Sequence, residues 1–134
     1  MMSVVIPKYV SIVGLYPNQV LRAEKVKKIV PTVVSLESNK NLDLCIKEIK
    51  FRNPASLGGA DEKDMKLLWT ARPVNTIGDE ENPWVQIDSV DQELSNWPDN
   101  AGSDSEHPLV LSYVDYAVKG LIYKSFDTLS FYLD

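Results

Sequence analysis

A chain of 134 residues, 44% apolar and 25% charged, suits a single domain over residues 1–134 with a core of its own, and excludes disorder throughout. Its one cysteine, Cys45, excludes an intrachain disulfide framework. The net charge of −5 disfavours a nucleic-acid role, because phosphate contacts dominate such binding and carboxylates oppose them.

Residues 1–16 are mildly apolar, but Pro7 and Lys8 interrupt them. Lacking a basic start, a sustained apolar run and a small-residue cleavage site, they make a poor signal peptide. No stretch approaches the roughly 20 apolar residues of a membrane span. The expectation is a soluble protein of the cytoplasm, or of a virion made there, with no membrane partner.

Val10–Leu15 and Val30–Leu36 are rich in β-branched residues and read as strands. Between them, Asn18–Ile29 scatters Val20, Val26 and Ile29 among charges and admits a short helix. Leu42–Phe51 reads as an amphipathic strand. Leu42, Leu44 and Ile46 share one face, and a β-bulge near Lys47 re-phases the pattern to Ile49 and Phe51. Asn53–Ala60, with Pro54 and Gly58-Gly59, reads as a loop. Asp61–Asp64 caps a short helical turn, and Met65–Ala71 fits strand or helix.

Trp84–Val90 reads as a short strand between acidic loops. Asn96–Pro108 is a long polar loop with a strong turn signal at Asp99-Asn100-Ala101-Gly102. Leu109–Tyr116 alternates as a strand, with a helical reading open for Val114–Lys124. Phe126–Leu133 reads as a last strand. Eight prolines recur at intervals of 10 to 23 residues, and short segments between regular breakers suit strands. The expected class is all-β, a β-sandwich or jelly-roll-like barrel of short antiparallel strands with at most one or two short helices. The alternative is α+β.

Charge is unevenly spread. Residues 1–72 hold 12 of the 14 basic residues and 7 of the 19 acidic ones. Residues 73–118 hold ten carboxylates and no Lys or Arg. Either the two segments neutralise one another in the fold, or each forms a surface of its own sign. Opposite faces on one molecule favour head-to-tail association.

Catalytic signatures are missing from the pattern. No nucleophile elbow, phosphate loop, dinucleotide fingerprint or zinc-ligand spacing occurs. His107 is the single histidine, so any triad would have to pass through it. Cys45, among apolar neighbours, reads as a buried inert thiol. No catalytic residue, cofactor or metal ligand is assigned.

The loop around Trp97 is the remaining candidate. Tryptophan rings stack on sugar rings while Asp and Asn bind hydroxyls, so Trp97, Asp99, Asn100 and Asp104 are the candidate ligand-binding residues. Closely spaced oxygens of Asp99, Asn100, Asp104 and Glu106 raise a calcium site as well, but their spacing does not follow the helix-loop-helix calcium pattern. The expected function is a non-catalytic structural or assembly module, such as a capsid, decoration or tail part of a virus or phage particle. It would associate with itself or with a protein partner through oppositely charged surfaces. A carbohydrate-binding module is the alternative.

Overall fold

The computed structural model describes residues 3–88 and 92–115. The expected strand Phe126–Leu133, all but the first two residues of Val114–Lys124 and the end of Trp84–Val90 lie outside the described residues.

Among the described residues five strands form one mixed sheet: β1 (Val5–Leu15), β2 (Thr32–Glu37), β3 (Lys66–Trp69), β4 (Val85–Ile87) and β5 (Leu109–Val114). Their order is β2-β1-β5-β3-β4, so β2 and β4 are the edges among the described residues. The central β1–β5 pair is parallel, with Val10 beside Leu109 and Leu15 beside Val114. The other pairings are antiparallel. Three short helices, α1 (Ala23–Lys27), α2 (Leu42–Arg52) and α3 (Pro54–Leu57), join three single 3-10 turns. The fold is therefore small and sheet-dominated, and the described residues contain one sheet rather than the two packed sheets of a sandwich.

β1 starts earlier than its β-branched run and passes through Pro7. Ser38 N–H donates to the Val4 carbonyl at 2.8 Å, and the register pairs Val5 with Glu37. Antiparallel ladders alternate, so even-numbered β1 residues bond to β2 and Pro7 faces the other way. On that side β5 begins only at the level of Val10, so the missing N–H of Pro7 costs no ladder bond.

Leu42–Phe51 is not a bulged strand but helix α2. Its buried residues, Leu42, Cys45, Ile46 and Ile49, recur at helical spacing. The side chain of Asn41 accepts from Leu44 N–H and caps the first turn. Lys47–Asp43 and Arg52–Glu48 pairs bridge successive turns. The re-phasing at Lys47-Glu48 is the 3.6-residue period passing across the solvent side. Asn53–Ala60 is likewise not all loop, since Pro54 opens the single-turn helix α3.

The sheet's two faces are covered unequally. On the first, Val10, Leu36, Leu67, Leu109 and Leu111 pack with Cys45 and Ile49 of α2 and with Leu94, Trp97 and Ala101. On the second, Val13 and Val110 pack with Leu21, with Val26 of α1 and with Val74. Val5, opposite Glu37, and Val33, opposite Tyr9, stay exposed on the paired strands β1 and β2. Among the described residues no helix is long and apolar enough to cross a membrane.

Candidate functional site

The loop that carries Trp97, Asp99, Asn100 and Asp104 closes the first face where β5 has not yet begun. Trp97 is only 4% exposed, belongs to the main core, and its Nε1 donates to the Gln92 carbonyl at 3.3 Å. Asn100 Nδ2 donates to the Ala71 carbonyl at 3.3 Å. Beneath the loop, Lys8 Nζ donates to the Ala101 carbonyl at 2.7 Å, and Tyr9 N–H donates to Gly102. Burial lowers the Lys8 pKa, and the negative charge of Asp99 opposes that effect. Gly102 sits at φ 75°, where a Cβ would meet Leu109 Cγ at 3.0 Å and Lys8 Cδ at 3.1 Å.

Asp104 is occupied locally. One of its oxygens accepts from the backbone N–H groups of Glu106 and His107, both at 2.9 Å, and lies 2.9 Å from His107 Nδ1. The hydrogen bond from His107 holds its carboxyl below the usual range, helped by the two backbone donors. The four residues thus shape the loop, and they do not converge on one cavity. Among the described residues no group of three or more His, Cys, Asp or Glu side chains is placed to hold a metal ion.

A shallow hollow of about 350 Å³ opens beside this loop instead. Trp69, Gln86, Asp88, Gln92, Asn96 and Trp97 line it, together with Ile87 and Pro98. Trp69, from β3, supplies the more exposed ring. Cys45 offers no thiolate chemistry: it is fully buried on α2, and burial pushes its thiol up to about 12.

Most carboxylates of the first 72 residues, and half of that segment's twelve cations, pair within it. Six of the segment's carboxylates pair with its own cations: Glu24 with Lys28, Glu37 with Lys40, Asp43 with Lys47, Glu48 with Arg52, Asp61 with Lys63 and Glu62 with Lys50. Across the boundary, Arg72 binds Glu81 through both guanidinium nitrogens at 2.9 and 3.2 Å, holding that carboxyl below its usual range. Asp79, Glu80, Asp88, Glu93 and Glu106 form no ion pair among the described residues.

Pattern reading missed one further feature because it took α2 for a strand. Between the β2 edge and α2 lies a groove of about 510 Å³, lined by Val5, Leu36, Leu44, Lys47, Glu48 and Phe51 among others. The signal was present in the four-residue spacing of Asp43 to Lys47 and of Glu48 to Arg52. Comparisons with protein-family models, curated proteins and solved structures found no match for the chain.

Proposed function

We propose that this protein is a non-catalytic assembly module, of the kind that builds repeating particles, and that its acidic surface receives a basic surface of a neighbouring molecule. The observation that supports this most is the unequal neutralisation of charge. Six of the seven carboxylates of the first 72 residues are ion-paired, whereas five between Asp79 and Glu106 have no ion-pair partner among the described residues. Arg22 and Lys66, which form no ion pair among the described residues, offer the opposite sign. Such a surface speeds encounter and selects partners more than it adds affinity.

Sedimentation at several ionic strengths tests the reading. Larger species should form at low salt and dissolve as the screening length shrinks to about 10 Å near 0.1 M. A strict monomer at high concentration and low salt, with no partner recovered from its native source, would sink it.

A carbohydrate-binding role is the second reading, and the hollow beside Trp69 favours it. Two tryptophans, three amide side chains and Asp88 surround one concavity. Binding on a glycan array that disappears in Trp69→Ala, with the fold intact, would support this reading. Silence across the array would dismiss it.

A further inference from the structure

We propose that the chain forms a two-fold homodimer through the open edge of β2 and the exposed stripe of α2 beside it. This rests on the assembly reading, and it names the partner as a second copy and the surface as this edge.

Among the described residues the edge is unpaired, and its exposed strand residues are Val33, Ser35 and Glu37. The ladder alternation that bonds Ser38 to Val4 turns the N–H and C=O groups of Val33 and Ser35 away from β1. An exposed strand edge is a template for another strand unless charge, a bulge or a covering element blocks it. Nothing among the described residues covers this one. Val5, Leu44 and Phe51, which are 61%, 42% and 73% exposed, line the groove beside the edge, and Val33 on the edge strand itself is 53% exposed. These are four of the nine large apolar side chains exposed in the described chain, gathered at one border.

The charge pattern of α2 selects a second copy as the occupant. Set antiparallel to itself about an axis between Lys47 and Glu48, the helix places Leu44 opposite Phe51 of the second copy. Asp43 then faces Arg52, and Lys47 faces Glu48. Every pairing is apolar on apolar or opposite in sign. Sliding the copy by one turn sets Asp43 against Glu48 in one direction, or Lys47 against Arg52 in the other, so both neighbouring registers are penalised. The Asp43–Lys47 and Glu48–Arg52 pairs within each helix, at 3.3 and 2.9 Å, become arms of one alternating cluster. The same two-fold relation sets β2 antiparallel to its copy, so that the outward groups of Ser35 can be exchanged across the axis. Such an interface is isologous and closes at two.

Analytical ultracentrifugation of the full chain tests this. K47E and E48K each turn two symmetry-related attractions into repulsions, and each should weaken the dimer on the order of tenfold or more. Mixing the two variants should restore a heterodimer of near wild-type affinity, because the reversed charges then face each other. An effect confined within one helix cannot produce that rescue. S35P, which removes an outward N–H and leaves the β1 ladder whole, should weaken the dimer at any salt concentration. Strand pairing and apolar contacts escape screening, so the wild-type dimer should outlast the salt-sensitive species. A dimer whose affinity is unchanged in all three variants, or a mixture that fails to recover, overturns this surface and leaves the assembly reading standing. A wild-type monomer under every condition overturns this surface, and if no partner is recovered from the native source it overturns the assembly reading as well.

Discussion

The two faces of the sheet solve the same problem with unequal means. The first face buries sixteen residues in one cluster with α2 and the loop around Trp97, whereas the second buries five beneath α1 and the turn at Val74–Thr76. Hydrophobic burial scales with area, so stability should reside mainly on the first face. Among the described residues the second is thinly covered at one end and bare at Val5 and Val33. A domain with one deep face can leave the other, and the edge beside it, for contact with its neighbours.

That contrast can be broken by mutation, most strongly on the deep face. Ile49→Ala empties a fully buried position on α2 and should cost about 3 kcal/mol in urea unfolding. A loss near that of an exposed site would refute the primacy of the first face. Gly102→Ala forces a Cβ into the left-handed region, against Leu109 and Lys8, and should cost about 2 kcal/mol. If thermal unfolding is unchanged by it, the loop is not fastened as described.

Val26→Ala, on the thin face, should cost about 1.5 kcal/mol, less than Ile49→Ala. An equal loss would mean that the two clusters share one cooperative core. The smallest effect concerns acid. Asp104 and Glu81 have lowered carboxyl pKa values in the folded state, so each adds stability that is complete above its ordinary value. That contribution is lost as pH falls through the lower folded value. Below about pH 4 the melting temperature of the wild type should fall more steeply than that of D104N or E81Q. Parallel curves would remove these pairs from the account.

Much of the sheet is legible in the sequence. The β-branched runs place β2, the alternating run from Leu109 places β5, and Trp84–Val90 brackets β4. Leu42–Phe51 reads as a strand for a physical reason. Over five residues, Leu42, Leu44 and Ile46 satisfy a period of two, and only the caps and the four-residue charge spacing show the helix. Pro7 hid the start of β1, because its tolerance depends on where β5 begins, more than a hundred residues later in the chain. At Trp97 the turn signal located the loop correctly, but turn chemistry carries no information on which way a ring faces. The core took the ring, and the hollow beside it draws on Trp69 and Gln86, which no local motif connects to Trp97.

The parallel pairing of β1 with β5 also has a bearing on how the molecule comes into being. The middle of the sheet joins Val10 to Leu109, so its two central strands are made at widely separated moments of synthesis. Until Leu109–Val114 has been added, the β1–β2 hairpin and β3 have no strand between them. Closing so long a loop is entropically costly and slows folding. A nascent chain therefore carries Val10, Ile12 and Leu67 without their β5 neighbours until Leu109–Val114 is made, and its encounter with chaperones should be set by the arrival of one late strand.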